Sequence, residues 1–160
     1  MPKLRYFGPG GLVLEHFTNR GWDVVGGNQT AEMMIVETYE NNKDGFLERL
    51  ESTIQIVKDA LDEIEHHQLK LFLVITDQSS VRGTPRRGME SHDGACLDGI
   101  HGFGSLTAET LARKAAQLGV STRVLRTGNQ HEKIVNLEEI LESLDPTVNY
   151  RLISRQYSFK

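Results

Sequence analysis

One run of eight residues constrains this chain more than any other: Leu69-Lys70-Leu71-Phe72-Leu73-Val74-Ile75-Thr76. It is apolar with almost no alternation, so a strand made from it must be covered on both faces. A sheet with one wet face would instead alternate apolar and polar side chains. Continuous burial belongs to a parallel sheet with helices packed on either side.

The flanking segments repeat strand and helix in turn. Leu4 to Phe7 is β-prone and is stopped by Gly8-Pro9-Gly10-Gly11, a strong breaker. Leu12 to Phe17 reads equally as a short helix or as a strand turned at Asn19-Arg20-Gly21 into Trp22–Val25. Met33 to Tyr39 is a strand pattern. From about Gly45 to His67, with Asp44 as N-cap, the residues Phe46, Leu50, Ile54, Val57, Leu61 and Ile64 recur at helical steps. The opposite face carries Glu48, Glu51, Asp59, Asp62, Glu63 and Glu65, which reads as a solvated face. His66 and His67 read as capping residues at the helix end, and His16 and His131 as surface residues.

A second helix is expected over Leu106 to Leu118, stopped by Gly119, and then a strand over Ser121 to Arg126. Asn136-Leu137-Glu138-Glu139 resembles a capping box and predicts a short helix ending at Asp145-Pro146. Tyr150 to Tyr157 is the last strand, whose alternating Arg151, Ser154 and Gln156 would suit an exposed edge shared across a homo-oligomer. The predicted fold is therefore α/β, a three-layer α/β/α sandwich. Its mostly parallel sheet has five or six strands in a single domain over residues 1–160.

Composition narrows the function classes. A net charge of −4 argues against general nucleic-acid binding. The only cysteine, Cys96, excludes an internal disulfide and any zinc site of CxxC pairs. No apolar run approaches the ~20 residues that span a bilayer, and Met1 to Arg20 lacks the apolar stretch of a secretory signal. A cytoplasmic protein without membrane contact is expected.

Chemistry-bearing residues gather between Gln78 and Gly104, a stretch with no helical or strand period. Long loops in compact domains are usually functional. This one leaves the carboxyl end of the apolar strand, where open α/β sheets bind ligands. Three chemistries fit it. Cys96 could act as a thiolate nucleophile, with His92 or His101 as base and Asp93 or Asp98 orienting the imidazole. Arg82, Arg86 and Arg87 could grip an anion. Gly102, Gly104, Ser105 and Thr107 would present backbone N–H groups at a helix N-terminus. The Gly102-Phe103-Gly104 turn lacks a third glycine, since Thr107 stands there, and Arg126 replaces the acid that would end the next strand. A metal site from His92, Asp93, Cys96, Asp98 and His101 fits zinc or iron by donor type but matches no known spacing, so neither metal nor cofactor is expected.

Ser91-His92-Asp93-Gly94, Asp98-Gly99, Leu106–Ala112 and Val124–Asn129 together resemble the core of caspase-like (clan CD) cysteine peptidases. The resemblance covers about forty residues and implies a shared α/β architecture with a role for His92. It departs where that family places its nucleophile at the end of a strand, because this chain has Arg126-Thr127-Gly128 there and its cysteine on another segment. The expected activity is thus a small hydrolase acting on an anionic small molecule or peptide through residues 82–107. The alternative is a non-catalytic protein that binds or sequesters a small anionic ligand such as a nucleotide.

Overall fold

The computed structural model describes residues 1–26, 28–37, 46–76, 106–126 and 130–154. Six parallel strands form one sheet: β1 (Lys3–Phe7), β2 (Asp23–Val24), β3 (Met33–Glu37), β4 (Leu71–Thr76), β5 (Thr122–Arg126) and β6 (Tyr150–Ser154). Their spatial order is β2-β1-β3-β4-β5-β6. The helices are α1 (Leu12–Asn19), α2 (Phe46–Glu63), α3 (106–117) and α4 (Gln130–Glu142).

The apolar run behaves as its composition dictates. All six residues of β4 are buried, as are all five of β3 beside it, in the register Met33↔Leu71 to Glu37↔Ile75. Their alternating side chains feed two separate cores. On one face Met34, Val36, Phe72, Val74 and Val124 meet Ala60 of α2, Ile64 just past its end, and Ala108, Leu111, Ala112 and Ala115 of α3. On the other, Leu4, Met33, Ile35, Leu71, Leu73, Ile75 and Leu125 meet Val13 and Phe17 of α1 and Leu137 and Ile140 of α4. The α/β/α sandwich is thus in place, with six strands.

The sixth strand depends on Leu12–Phe17 being helical. Gly10 and Gly11 adopt φ of +81° and +96°, a region that L side chains avoid, and turn the chain sharply out of β1. Val13 and Phe17, four residues apart, then share one face and bury to 1% exposure. The chain returns through Trp22, whose ring meets Phe17 edge-on, into the short β2.

Two helices differ from expectation. The apolar face of α2 is carried by Ile56, Val57, Ala60, Leu61 and Ile64, while Ile54 is 47% exposed. More consequentially, α4 begins six residues before the capping-box-like Asn136. Asn136 lies mid-helix and is itself buried, because the helix is organised by Lys133, Leu137 and Ile140 facing the sheet. The β4–α3–β5 and β5–α4–β6 units step the same way along the sheet, yet α3 and α4 lie on opposite faces. The β5–α4–β6 crossover therefore has the opposite hand to its three partners, an uncommon arrangement. Arg123 holds it: its guanidinium donates to the carbonyls of Asp145 at 2.9 Å and Val148 at 3.0 Å, tying the α4–β6 connection to β5.

His67 is not a helix cap. It lies past the end of α2, buried, and its Nδ1 accepts the Ala31 N–H at 3.0 Å, which leaves Nε2 to donate to Glu63 at 3.4 Å. Glu63 is in turn gripped by Arg5 of β1 through Nε and Nη2 at 2.5 and 2.9 Å. Sheet, α2 and the entry to β3 are joined by this chain of polar contacts, so the acidic face of α2 is not wholly solvated. The Arg5 hydrogen bonds are the main cause holding the Glu63 carboxyl below its ordinary value of 4.5. A depressed carboxyl stabilises the fold above its unfolded value, and that stability is lost as pH falls through the folded one. We expect Glu63→Gln to lower stability near neutral pH and to reduce its loss below about pH 4.5, as read from urea midpoints across the acid range.

Candidate functional site

Sheet order locates the crevice. From β1 the chain steps outward to β2, with α1 on one face; from β3 it steps the other way to β4, with α2 on the opposite face. The carboxyl ends of β1 and β3 therefore part their connections, and ligands of open α/β sheets bind at such a point. The site expected from sequence was placed instead after β4.

The polar groups at this crevice are deeply buried. Glu37 is the last residue of β3 and is 2% exposed; Lys133, one turn into α4, is 1% exposed. Lys133 Nζ approaches Glu37 Oε2 at 3.4 Å, and the Tyr6 hydroxyl of β1 donates to Glu37 Oε1 at 3.2 Å. The same hydroxyl accepts the Gly10 N–H at 3.1 Å, which ties the cluster to the turn that opens α1. Burial pushes the Glu37 carboxyl up from its ordinary 4.5, against the opposing pull of Lys133 and Tyr6. Burial, then the Glu37 charge, pushes the Tyr6 phenol up as well.

Gly8 has a steric reason to be glycine. A Cβ there would stand 2.6 Å from the Tyr6 hydroxyl and 3.0 Å from the Glu37 Cβ. The turn can approach the cluster only without a side chain at that position. A second pair closes the same edge further along: Glu109 of α3 forms an ion pair with Arg126 at the end of β5, and Arg113 lies 3.8 Å from Glu109. Arg126 thus faces a carboxylate, and Arg123 is committed to carbonyls in the α4–β6 connection.

Of the residues predicted from sequence, Thr107 lies in the first turns of α3, half-buried. Cys96, His92, His101, Asp93, Arg82, Arg86, Arg87, Gly102, Gly104 and Ser105 lie outside the described residues, as do Asp98 and the His131 side chain. The chain leaves the described structure at Thr76, the carboxyl end of β4, and rejoins it at the start of α3 on the same edge. Of the stretch that resembles caspase-like peptidases, residues 106–112 lie on α3 and 124–126 end β5. His16 is not a free surface residue: its Nε2 lies 3.6 Å from Glu138, which Arg20 also contacts, in a cleft between α1 and α4 at the other end of the molecule. Among the described residues, no group of three or more His, Cys, Asp or Glu side chains could hold a metal ion. No described helix is long and apolar enough to cross a membrane.

Sequence reading missed Tyr6, Glu37 and Lys133 as a group. Gly8–Gly11 registers as a breaker and Glu37 as a position within the Met33–Tyr39 strand pattern. The pairing of β1 with β3 and the packing of α4 on the same face bring them together.

No family model matches the chain, and no curated protein matches it. Among solved structures it is similar to a protein described as a short-chain alcohol dehydrogenase from Burkholderia multivorans. That likeness has a TM-score of 0.60 at 10% identity and covers 96% of both chains. It is a likeness of fold. Dinucleotide-binding folds of this kind place Gly-x-Gly-x-x-Gly or -Ala after the first strand and an acidic residue about twenty residues later. Here Gly8-Pro9-Gly10-Gly11-Leu12-Val13 ends in a buried valine where close helix–strand packing asks for a small residue. Val24 ends β2, and the acid of that strand, Asp23, stands one place earlier. These residues do not fit a dinucleotide.

Removing one partner of a buried pair leaves the other uncompensated, at a cost of about 3–5 kcal/mol, whereas replacing both is often neutral. We expect Lys133→Met to destabilise by about that amount, and the double variant with Glu37→Gln to recover most of it in chemical denaturation. Because the folded carboxyl is raised, Glu37 stabilises below its unfolded value and loses that contribution as pH rises through the folded one. Glu37→Gln should therefore gain stability relative to the parent as pH rises above 4.5, the ordinary glutamate value.

Proposed function

We propose that this protein binds a small anionic ligand at the carboxyl edge of its sheet, in the crevice between β1 and β3. The carrying observation is the Glu37–Lys133 pair, almost wholly buried where the parallel sheet opens. A buried ion pair is weak as a stabilising device, and an apolar pair would serve packing as well. Perturbed carboxyls in a crevice are typical of working sites. Lys133 brings a cationic group to this edge beside Glu37, and burial, which raises the Glu37 carboxyl, weakens its opposing negative charge. The Gly10 N–H is taken by Tyr6, so the donors on this side are the first N–H groups of α1, which have no partner within the helix.

A hydrolase is the second reading, favoured by one observation: Thr76 and the start of α3, the described residues on either side of the stretch with Cys96, His92, His101 and Asp93 in sequence, both stand on this edge. In it Cys96 is the nucleophile, a histidine the base, and Asp93 orients the imidazole. Arg82, Arg86 and Arg87, with the α3 entry at Gly102, Gly104, Ser105 and Thr107, hold the anionic part of the substrate.

Thermal denaturation with inorganic phosphate, against chloride at matched ionic strength, tests the binding reading. Binding to the native state at a hundred times Kd adds about 2.7 kcal/mol, a shift of several degrees. A flat response to phosphate and to ribose 5-phosphate removes the anionic reading. Where a panel of esters and peptides reveals turnover, Cys96→Ser should abolish it without weakening phosphate binding. Unchanged turnover removes the nucleophile.

A further inference from the structure

Gly8 separates the Glu37 cluster from a cleft on the opposite face of the sheet. This cleft has a volume of about 380 Å3 and lies between the end of β1 and the side of α2. Its size falls within the ~300–1,000 Å3 of small-molecule sites. Phe7, Pro9 and Ile56 form its apolar surface. Ser52, Gln55 and Asp59 also line it, spaced three and four residues apart along one face of α2. Gln55 Nε2 donates to Asp59 Oδ1 at 2.7 Å, which orients the carboxylate and leaves its second oxygen and the Gln55 carbonyl as acceptors.

We propose that this cleft holds the polyhydroxylated part of the ligand whose anionic group lies at the β1–α1 turn, so that the ligand class is a phosphorylated sugar. The proposal rests on the anionic-ligand reading and adds a second half to it. Sugar rings present C–H surface on one side and hydroxyls around the rim, and this lining offers an apolar surface beside a row of acceptors. The polar wall carries a carboxylate and belongs to a helix rich in acidic residues, so a phosphate is disfavoured inside the cleft. Gly8 and Pro9 line the cleft and lead directly into the Gly10–Gly11 turn, so the cleft adjoins the place where the anionic group would lie.

Calorimetric titration of the full chain with inorganic phosphate, ribose 5-phosphate and O-phosphoethanolamine tests this. Ribose 5-phosphate should bind at least tenfold more tightly than phosphate. Asp59→Asn and Ser52→Ala should each remove roughly tenfold or less of that advantage while leaving phosphate affinity unchanged. Unaltered melting temperatures would show that the two surface variants fold. Equal affinity for phosphate and ribose 5-phosphate overturns the sugar subsite and leaves the anionic reading standing. Preference for O-phosphoethanolamine overturns it in favour of a cationic group facing Asp59. An Asp59→Asn variant that keeps the full advantage also overturns it, and no binding of any probe removes both proposals.

Discussion

Burial of β3 and β4 on both faces is the constraint from which the rest follows. Met33–Val36 and Leu71–Ile75 carry apolar side chains to both sides, so neither face can be left to water, and each needs its own pair of helices. Such a sheet has no wet face on which to mount polar groups. They can stand only at the strand ends, and the last residues of the two central strands, Glu37 and Thr76, are where polarity begins. All strands being parallel, every carboxyl end lies on one edge. Glu37, Arg126 and the Gly8–Gly11 turn are concentrated there by topology as much as by local sequence.

The reversed hand of the β5–α4–β6 unit decides what stands at that edge. On the face used by α3, α4 would cover β6. On the face it occupies, α4 packs beside α1 and lowers Lys133 onto Glu37. The consequence is visible on the vacated side, where Tyr150 and Leu152 of β6 stay 36% and 40% exposed. The arrangement gives up apolar burial at one edge and places an ion pair in the dry centre. Neither helps stability much, since exposed apolar surface forgoes about 25 cal/mol per Å2 and buried charges repay little beyond their desolvation. Both become intelligible if the Lys133–Glu37 contact serves a ligand.

The elements that could be read from sequence were those whose signal is local. Apolar runs mark β3 and β4, and Gly119, with φ of +83°, ends α3 as a glycine past a helix should and sets off β5 after it. The misreadings arose where a polar side chain is buried. Lys133 and Asn136 broke the apolar stripe of α4 and moved its apparent start, and His67 looked like a cap because its partner, the Ala31 N–H, is distant in sequence. The candidate site was illegible for the same reason. Tyr6, Glu37 and Lys133 are separated by 31 and 96 residues and meet only through strand order. Residues 78–104 drew the eye because cysteine, histidine and arginine are conspicuous by type; the described crevice is conspicuous only by place.

The glycines at the end of β1 show how one short segment can serve two faces. Gly10 and Gly11 matter for their dihedral angles, since positive φ turns the chain into α1 and presents the Gly10 N–H to Tyr6. Gly8 matters for its missing Cβ, which would intrude on Tyr6 and Glu37. With no side chain there, only backbone separates the acid–lysine cluster on the α1 and α4 face from the cleft against α2. A side chain at position 8 would collide with Tyr6 and Glu37. The close approach of the turn to Tyr6 and Glu37 thus fixes glycine at this position, and the same residue forms part of the lining of the cleft against α2.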